Sequence, residues 1–91
     1  MKYFITARLN ARIADSEDMA KAVHKAIKQF DWQDWGLVPD EDKAANDADL
    51  KARQGHVLAR YNTPEGDIYI NLEFGEDYTK DNACIMFTDE Y

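Results

Sequence analysis

HVLARYNTPEGDIYINLEF, residues 56–74, decides the fold. His56 to Tyr61 reads as one strand and Asp67 to Phe74 as another, with Ile68, Ile70, Leu72 and Phe74 alternating onto one face. Thr63-Pro64-Glu65-Gly66 between them has the residue types of a turn, so the segment reads as a β-hairpin. Downstream, Gly75 to Asn82 is polar and loop-like, and ACIMFT at 83–88 is short and apolar enough for a further strand.

Upstream, KYFITARL at 2–9 reads as a first strand, Tyr3, Ile5, Ala7 and Leu9 alternating with Phe4, Thr6 and Arg8. A helix over about 16–30 follows, with Asp15 as its N-cap and one apolar stripe at Met19, Val23, Ala26, Ile27 and Phe30. Gly36 ends this helix as a positive-φ glycine, and Pro39 disfavours helix at Val38. Asp40 then caps a polar helix over about 40–51, which only its alanines and Leu50 can anchor. The order β-α-α-β-β-β makes residues 1–91 one α+β domain: an antiparallel sheet with one amphipathic helix packed on one face. Ile68, Ile70, Leu72, Ile85 and Phe87 then meet the helical stripe. The other face carries Tyr69, Asn71, Glu73, Met86 and Thr88, joined by Phe4, Thr6 and Arg8 of the first strand.

Eighteen acidic residues against eleven basic ones give a net charge of −7. That charge repels nucleic-acid phosphates and anionic lipid, so neither is expected as a direct partner. The charge is also polarised: residues 1–30 are net basic, whereas 31–49 hold seven acids beside Lys43 and 65–90 hold eight beside Lys80. No stretch approaches the roughly 20 apolar residues of a membrane span, and the first residues break to Thr6 and Arg8 too early for a signal sequence. A cytoplasmic protein is expected. Cys84 is the single cysteine, which leaves no intrachain disulfide and no cysteine-based zinc cage.

Asp34-Trp35-Gly36, with Trp32 just before it, is the most unusual local feature. Such a tryptophan is a binding hot spot or, more commonly, a plug closing the core. Asp40, Glu41, Asp42, Asn46, Asp47 and Asp49 lack the alternating spacing of an EF-hand loop and read as a solvated acidic face. His24, His56 and Cys84 offer a thiol–imidazole pair only if the fold brings them together. Glu73, on a strand beside Tyr69 and Asn71, stands out among the acids as a candidate for hydrolysis, although such a position is more commonly a solvated outer face. The four glycines are isolated, so no phosphate-cradling loop is present and no cofactor is expected.

Asp34-Trp35-Gly36, Glu41-Asp42-Lys43, Asn46-Asp47, Leu50, Tyr61, Ile68-Tyr69-Ile70, Glu73 and the closing Phe87-Thr88-Asp89-Glu90-Tyr91 resemble a family of small uncharacterised bacterial proteins. That family is often carried on plasmids and other mobile elements, with the pattern DWG, EDK, N, a strand such as IWIITE, then LFPxEY. Here Tyr69 stands for the usual Trp, Thr88 for the Pro, and the loop 75–82 is longer. The resemblance implies a setting and no activity; the restriction-methylase label sometimes given to such proteins does not fit a chain without the [DN]PP[YF] motif. The expected role is a non-catalytic module for a protein partner, with Asp34, Trp35, Asp40, Glu41, Asp42, Tyr69 and Glu73 as candidate binding residues. The alternatives are an acidic DNA mimic that inhibits a restriction or defence enzyme, a small hydrolase using Glu73 or a neighbouring acid, and a homodimer formed through a sheet face or edge.

Overall fold

The computed structural model describes residues 1–91. In chain order the elements are β1 (Lys2–Ile5), α1 (Ala7–Asp15), α2 (Glu17–Asp31), α3 (Asp40–Ala52), β2 (His56–Tyr61), β3 (Ile68–Glu73) and β4 (Asn82–Phe87). Single 3-10 turns occupy Tyr78–Lys80 and Thr88–Glu90. The α+β class holds, with three helices instead of two.

The strands lie in the order β1-β4-β3-β2. β2, β3 and β4 form the expected antiparallel meander, Ile70 standing between Ala59 and Ile85. β1 runs parallel to β4, with Phe4 level with Cys84 and Ile5 with Ile85. The sheet is therefore mixed, not purely antiparallel. The helices carry the chain to the far edge, β2 starts there in the direction of β1, and three meander strands return β4 alongside β1 in that same direction.

The first strand stops at Ile5 because Thr6 caps a helix: its Oγ1 accepts from Leu9 N–H (3.4 Å). Ala7, Leu9 and Arg8 are thus helical, and Arg8 is not a sheet residue. Leu9 is fully buried and Ile13, one turn on, packs beside it, so this short helix is anchored by an i, i+4 pair. Asp15 ends α1, and the cap of α2 is Ser16, whose Oγ accepts from Met19 N–H (3.2 Å). Glu17 and Asp18 then lie in the first turn, where the helix dipole favours acids. Met19, Val23, Ala26 and Phe30 are buried as the stripe requires.

α2 ends by a Schellman arrangement: Asp34 N–H donates to Gln29 O (2.9 Å) and Gln33 N–H to Phe30 O (3.0 Å). Its left-handed residue is Gln33 (φ 62°), so Gly36 is not the helix-end glycine. Pro39, not Asp40, holds the N-cap position of α3: its carbonyl accepts from Asp42 and Lys43, and Asp40 is the first helical residue.

Val57, Ala59 and Tyr61, Ile68, Ile70 and Leu72, and Ala83, Ile85 and Phe87 supply one face of the sheet to the core. Leu9 of α1, the stripe of α2 and Trp35 complete it from the helix side. No helix of the fold is long and apolar enough to cross a membrane.

Candidate interaction surface

A strand at the rim of a sheet leaves alternate backbone groups unpaired, and an unpaired polar group that loses water is costly. β2 is such a strand, and two different devices cover its outward groups at Leu58 and Arg60. Asn46, buried in the middle of α3, donates from Nδ2 to Leu58 O (2.9 Å) and accepts at Oδ1 from Leu58 N–H (3.3 Å). Its carboxamide presents the same donor and acceptor that a neighbouring strand would. Two residues on, Arg60 N–H donates to Trp35 O (3.2 Å) and Leu37 N–H to Arg60 O (2.8 Å). These two bonds make a parallel bridge between Gly36 and Arg60. A Cβ at Gly36 would lie 2.0 Å from Arg60 O, and its φ is +75°, so glycine is required there by close approach and by conformation together.

This geometry places the candidate residues of the Asp34-Trp35-Gly36 segment in structural work. Trp35 is 3 % exposed, stands edge-on to Phe30 at 5.2 Å, and donates from Nε1 to Asp47 Oδ1 (2.9 Å). It is the core plug, whereas Trp32 is 86 % exposed. Asp34 accepts from Gln29 Nε2 (2.9 Å) and Gly36 N–H (3.1 Å), bonds that hold its carboxyl below the usual range. Its carbonyl receives the Tyr61 hydroxyl (2.7 Å).

Asp40, Glu41 and Asp42 lie exposed on the first turn of α3. Asp47 is engaged by Trp35 and Asp49 is half-buried, so the acids of this helix do not form one continuous strip. Asp42 and Asp49 border a cleft of about 300 Å³ between α3 and β2, with Asn46, His56 and Leu58.

Tyr69 and Glu73 belong to the other face of the sheet. The register puts Lys2, Phe4, His56, Leu58, Arg60, Tyr69, Asn71, Glu73, Cys84 and Met86 together there, away from the face the core covers. Tyr91 folds back onto it, edge-on to Tyr69 at 5.4 Å, and the Arg60 guanidinium lies 5.9 Å from the Tyr69 ring centre. Phe4 is 51 % exposed and Tyr91 62 %. Asn71 Oδ1, on the same face, is the only buried side-chain polar atom left without a hydrogen bond.

His56 and Cys84 share this face, but β3 separates their strands and the register sets them two residues out of line, which puts them about 12 Å apart. His24 lies on the exposed side of α2. No thiol–imidazole pair forms, and burial, reinforced by Glu90 and Glu73, pushes the Cys84 thiol up, away from the reactive thiolate. Trp32, Trp35, Tyr69 and Glu73 do not share a concave site.

The charge polarity along the chain is met in space in part, at its arginines. Arg8 pairs with Asp89 (2.9 Å), Arg12 with Glu65 (2.6 Å), Arg53 with Asp81 (2.8 Å) and Arg60 with Asp67 (2.8 Å). Each arginine of the chain is thereby tied to an acid of its late half. Asp81 is the most consequential of these acids: nearly buried, it accepts a two-bond fork from Arg53 and also Gly75 N–H (2.8 Å), locking the β3–β4 connection to the end of α3. Sequence reasoning missed both Asn46 and Asp81. The available signal at Asn46 was an amide side chain at mid-helix, where asparagine is a mediocre helix former.

No family model, curated protein or solved structure matches this chain.

Proposed function

We propose that the chain is a non-catalytic interaction module that binds a protein partner through its uncovered sheet face. The observation that carries this reading is that the helices and the sealing segment occupy one face and one edge, leaving Phe4, Tyr69, Tyr91, Arg60 and Glu73 together on the other face. Tyrosine, phenylalanine and arginine are the residue types enriched at protein interfaces, and Glu73 adds a charge that selects the partner. The setting we propose, a bacterial cytoplasm and a mobile element, follows from the resemblance of the DWG, EDK and closing EY motifs.

Two variants separate this face from the acidic turn of α3. The chain with Tyr69→Ala and Glu73→Lys and the chain with Asp40→Lys, Glu41→Lys and Asp42→Lys are each used to capture partners from native bacterial lysate. Far-UV circular dichroism confirms that both are folded. The reading predicts a stoichiometric protein partner held by the wild type, kept by the α3 variant and lost by the sheet-face variant. A partner lost by the α3 variant and kept by the sheet-face variant contradicts it.

A further inference from the structure

The two edges of the sheet are finished differently. Beyond β2 the outward groups of Leu58 and Arg60 are taken by Asn46, Trp35 and Leu37, whereas β1 has no neighbour but β4. Lys2 N–H donates to Asp81 O (2.9 Å) and Thr6 N–H to Ile85 O (3.1 Å). The even-numbered backbone of β1 therefore points at β4, and the N–H and C=O groups of Tyr3 and Ile5 point outward. No proline, bulge or covering loop guards this edge; its protection is limited to its length of four residues and to Lys2 at its start. Met1, Phe4 and Ile5 beside it are three of the seven large hydrophobic side chains that the chain exposes.

From this unpaired edge we infer that β1 pairs with β1 of a second copy of the chain, antiparallel across a twofold axis through Phe4, to make one continuous sheet of two chains. The register follows from the outward groups. With Phe4 opposite Phe4 of the partner copy, Tyr3 stands opposite Ile5 on both sides of the axis, and each of these two pairs exchanges both of its hydrogen bonds. Centring on Tyr3 instead would set Ile5 against Met1, outside the strand, and centring on Ile5 would set Tyr3 against Ala7, which is helical. Only the Phe4-centred register satisfies every outward group of Tyr3 and Ile5.

The side chains agree with that register. The two Phe4 rings meet on the uncovered face as a non-hydrogen-bonded pair, where side chains come closest, and Tyr3 covers Ile5 on the helix side. Lys2 falls opposite Thr6 of the other copy. Thr6 Oγ1 donates to Glu90 Oε1 (3.0 Å), and Lys2 has no carboxylate partner in its own chain. Each Lys2 ammonium is thus set beside the other copy's Glu90 carboxylate, a charge match repeated twice by the symmetry. This dimer does not depend on the partner proposed above: it takes Phe4 from the rim of that face and leaves Tyr69 and Glu73, the residues by which that reading is tested, free.

The test has two parts. Sedimentation equilibrium of the full chain from micromolar to millimolar concentration is expected to show the mass rising from 10.5 kDa toward twice that value, and Phe4→Asp to hold it at one chain with an unchanged circular dichroism spectrum. Cysteine cross-linking then reads the register. It is done in a Cys84→Ser background, because Cys84 is level with Phe4 on the neighbouring strand and would compete within the chain. Under mild oxidation Phe4→Cys is expected to cross-link into a covalent dimer and Lys2→Cys to remain a single chain. A wild type that stays monomeric up to millimolar concentration overturns the inference, as does a dimer in which Phe4→Cys fails to cross-link.

Discussion

Replacing Asn46 removes a strand surrogate from inside a helix, and the structure sets the size of the loss. Asn46→Ala leaves Leu58 N–H and Leu58 O without partners on the edge of β2. Each costs about 1–3 kcal/mol when unpaired and shielded from water; the neighbouring cleft admits solvent, so the low end applies, near 1 kcal/mol apiece. Lost packing of the buried side chain adds about 1 kcal/mol, for a total of about 3 kcal/mol. For a domain of this size that corresponds to a fall in Tm of roughly 10–25 °C, read by thermal or urea unfolding followed by circular dichroism. Asn46→Asp sharpens the test. The carboxylate still accepts from Leu58 N–H but sets an oxygen against Leu58 O, so at neutral pH it is expected to destabilise more than alanine. Burial and that carbonyl raise the folded-state pKa of the introduced acid, so its penalty is present above that pKa and relieved as pH falls through it. The stability gap between Asn46→Asp and wild type should therefore narrow on acidification. A loss under about 0.5 kcal/mol for Asn46→Ala, or a pH-independent gap for Asn46→Asp, refutes the surrogate role.

The two tryptophans should behave oppositely: Trp35→Ala is expected to cost about 3–5 kcal/mol and Trp35→Phe about 1 kcal/mol for the lost bond to Asp47, while Trp32→Ala stays within about 0.5 kcal/mol, all by urea unfolding. Gly36→Ala brings a Cβ against Arg60 O and forces an L-residue into the left-handed region, which alone costs about 1–2 kcal/mol; amide exchange at Leu37 and Arg60 should quicken as the bridge opens. Hydrogen bonds from Arg53 hold the Asp81 carboxyl below its ordinary value, and the bonds from Arg12 and Asn62 do the same for Glu65 and Asp67. Their stabilisation is full above the ordinary carboxylate pKa of about 4 and is lost as pH falls through the lower folded values, so the urea midpoint should drop on that acid limb, less steeply in Asp81→Asn.

The hairpin and the α2 stripe were legible because strict alternation at 68–74 and a helical period from Met19 to Phe30 each admit one reading. α1 was not. KYFITARL opens with aromatic and β-branched residues that favour a strand, and the alternation continues by coincidence into Ala7 and Leu9. What overrides it is the Thr6 cap together with Leu9 and Ile13 at helical spacing. The parallel sense of β1 could not be read, since a four-residue strand carries no mark of its neighbour. For the candidate residues, Trp35 was legible as a plug from its place beyond a helix end. Asp34 reads in the sequence as a binding residue, and nothing there shows that its carboxyl also holds the turn that delivers Trp35. Asn46 lay hidden among Asp40, Glu41, Asp42, Asp47 and Asp49, where composition alone reads as a solvated face, because its partner is the backbone of a strand twelve residues away.

Residue-resolved amide hydrogen exchange of the full chain, at micromolar and at millimolar concentration, reports both edges of the sheet at once. One edge sealed within the chain and one left open for a second copy predict slow exchange of Leu58 and Arg60 at both concentrations. The same account predicts fast exchange of Tyr3 and Ile5 in dilute solution, slowing as concentration rises. Leu58 and Arg60 exchanging as fast as Tyr3 and Ile5 in dilute solution, or Tyr3 and Ile5 indifferent to concentration, would contradict it.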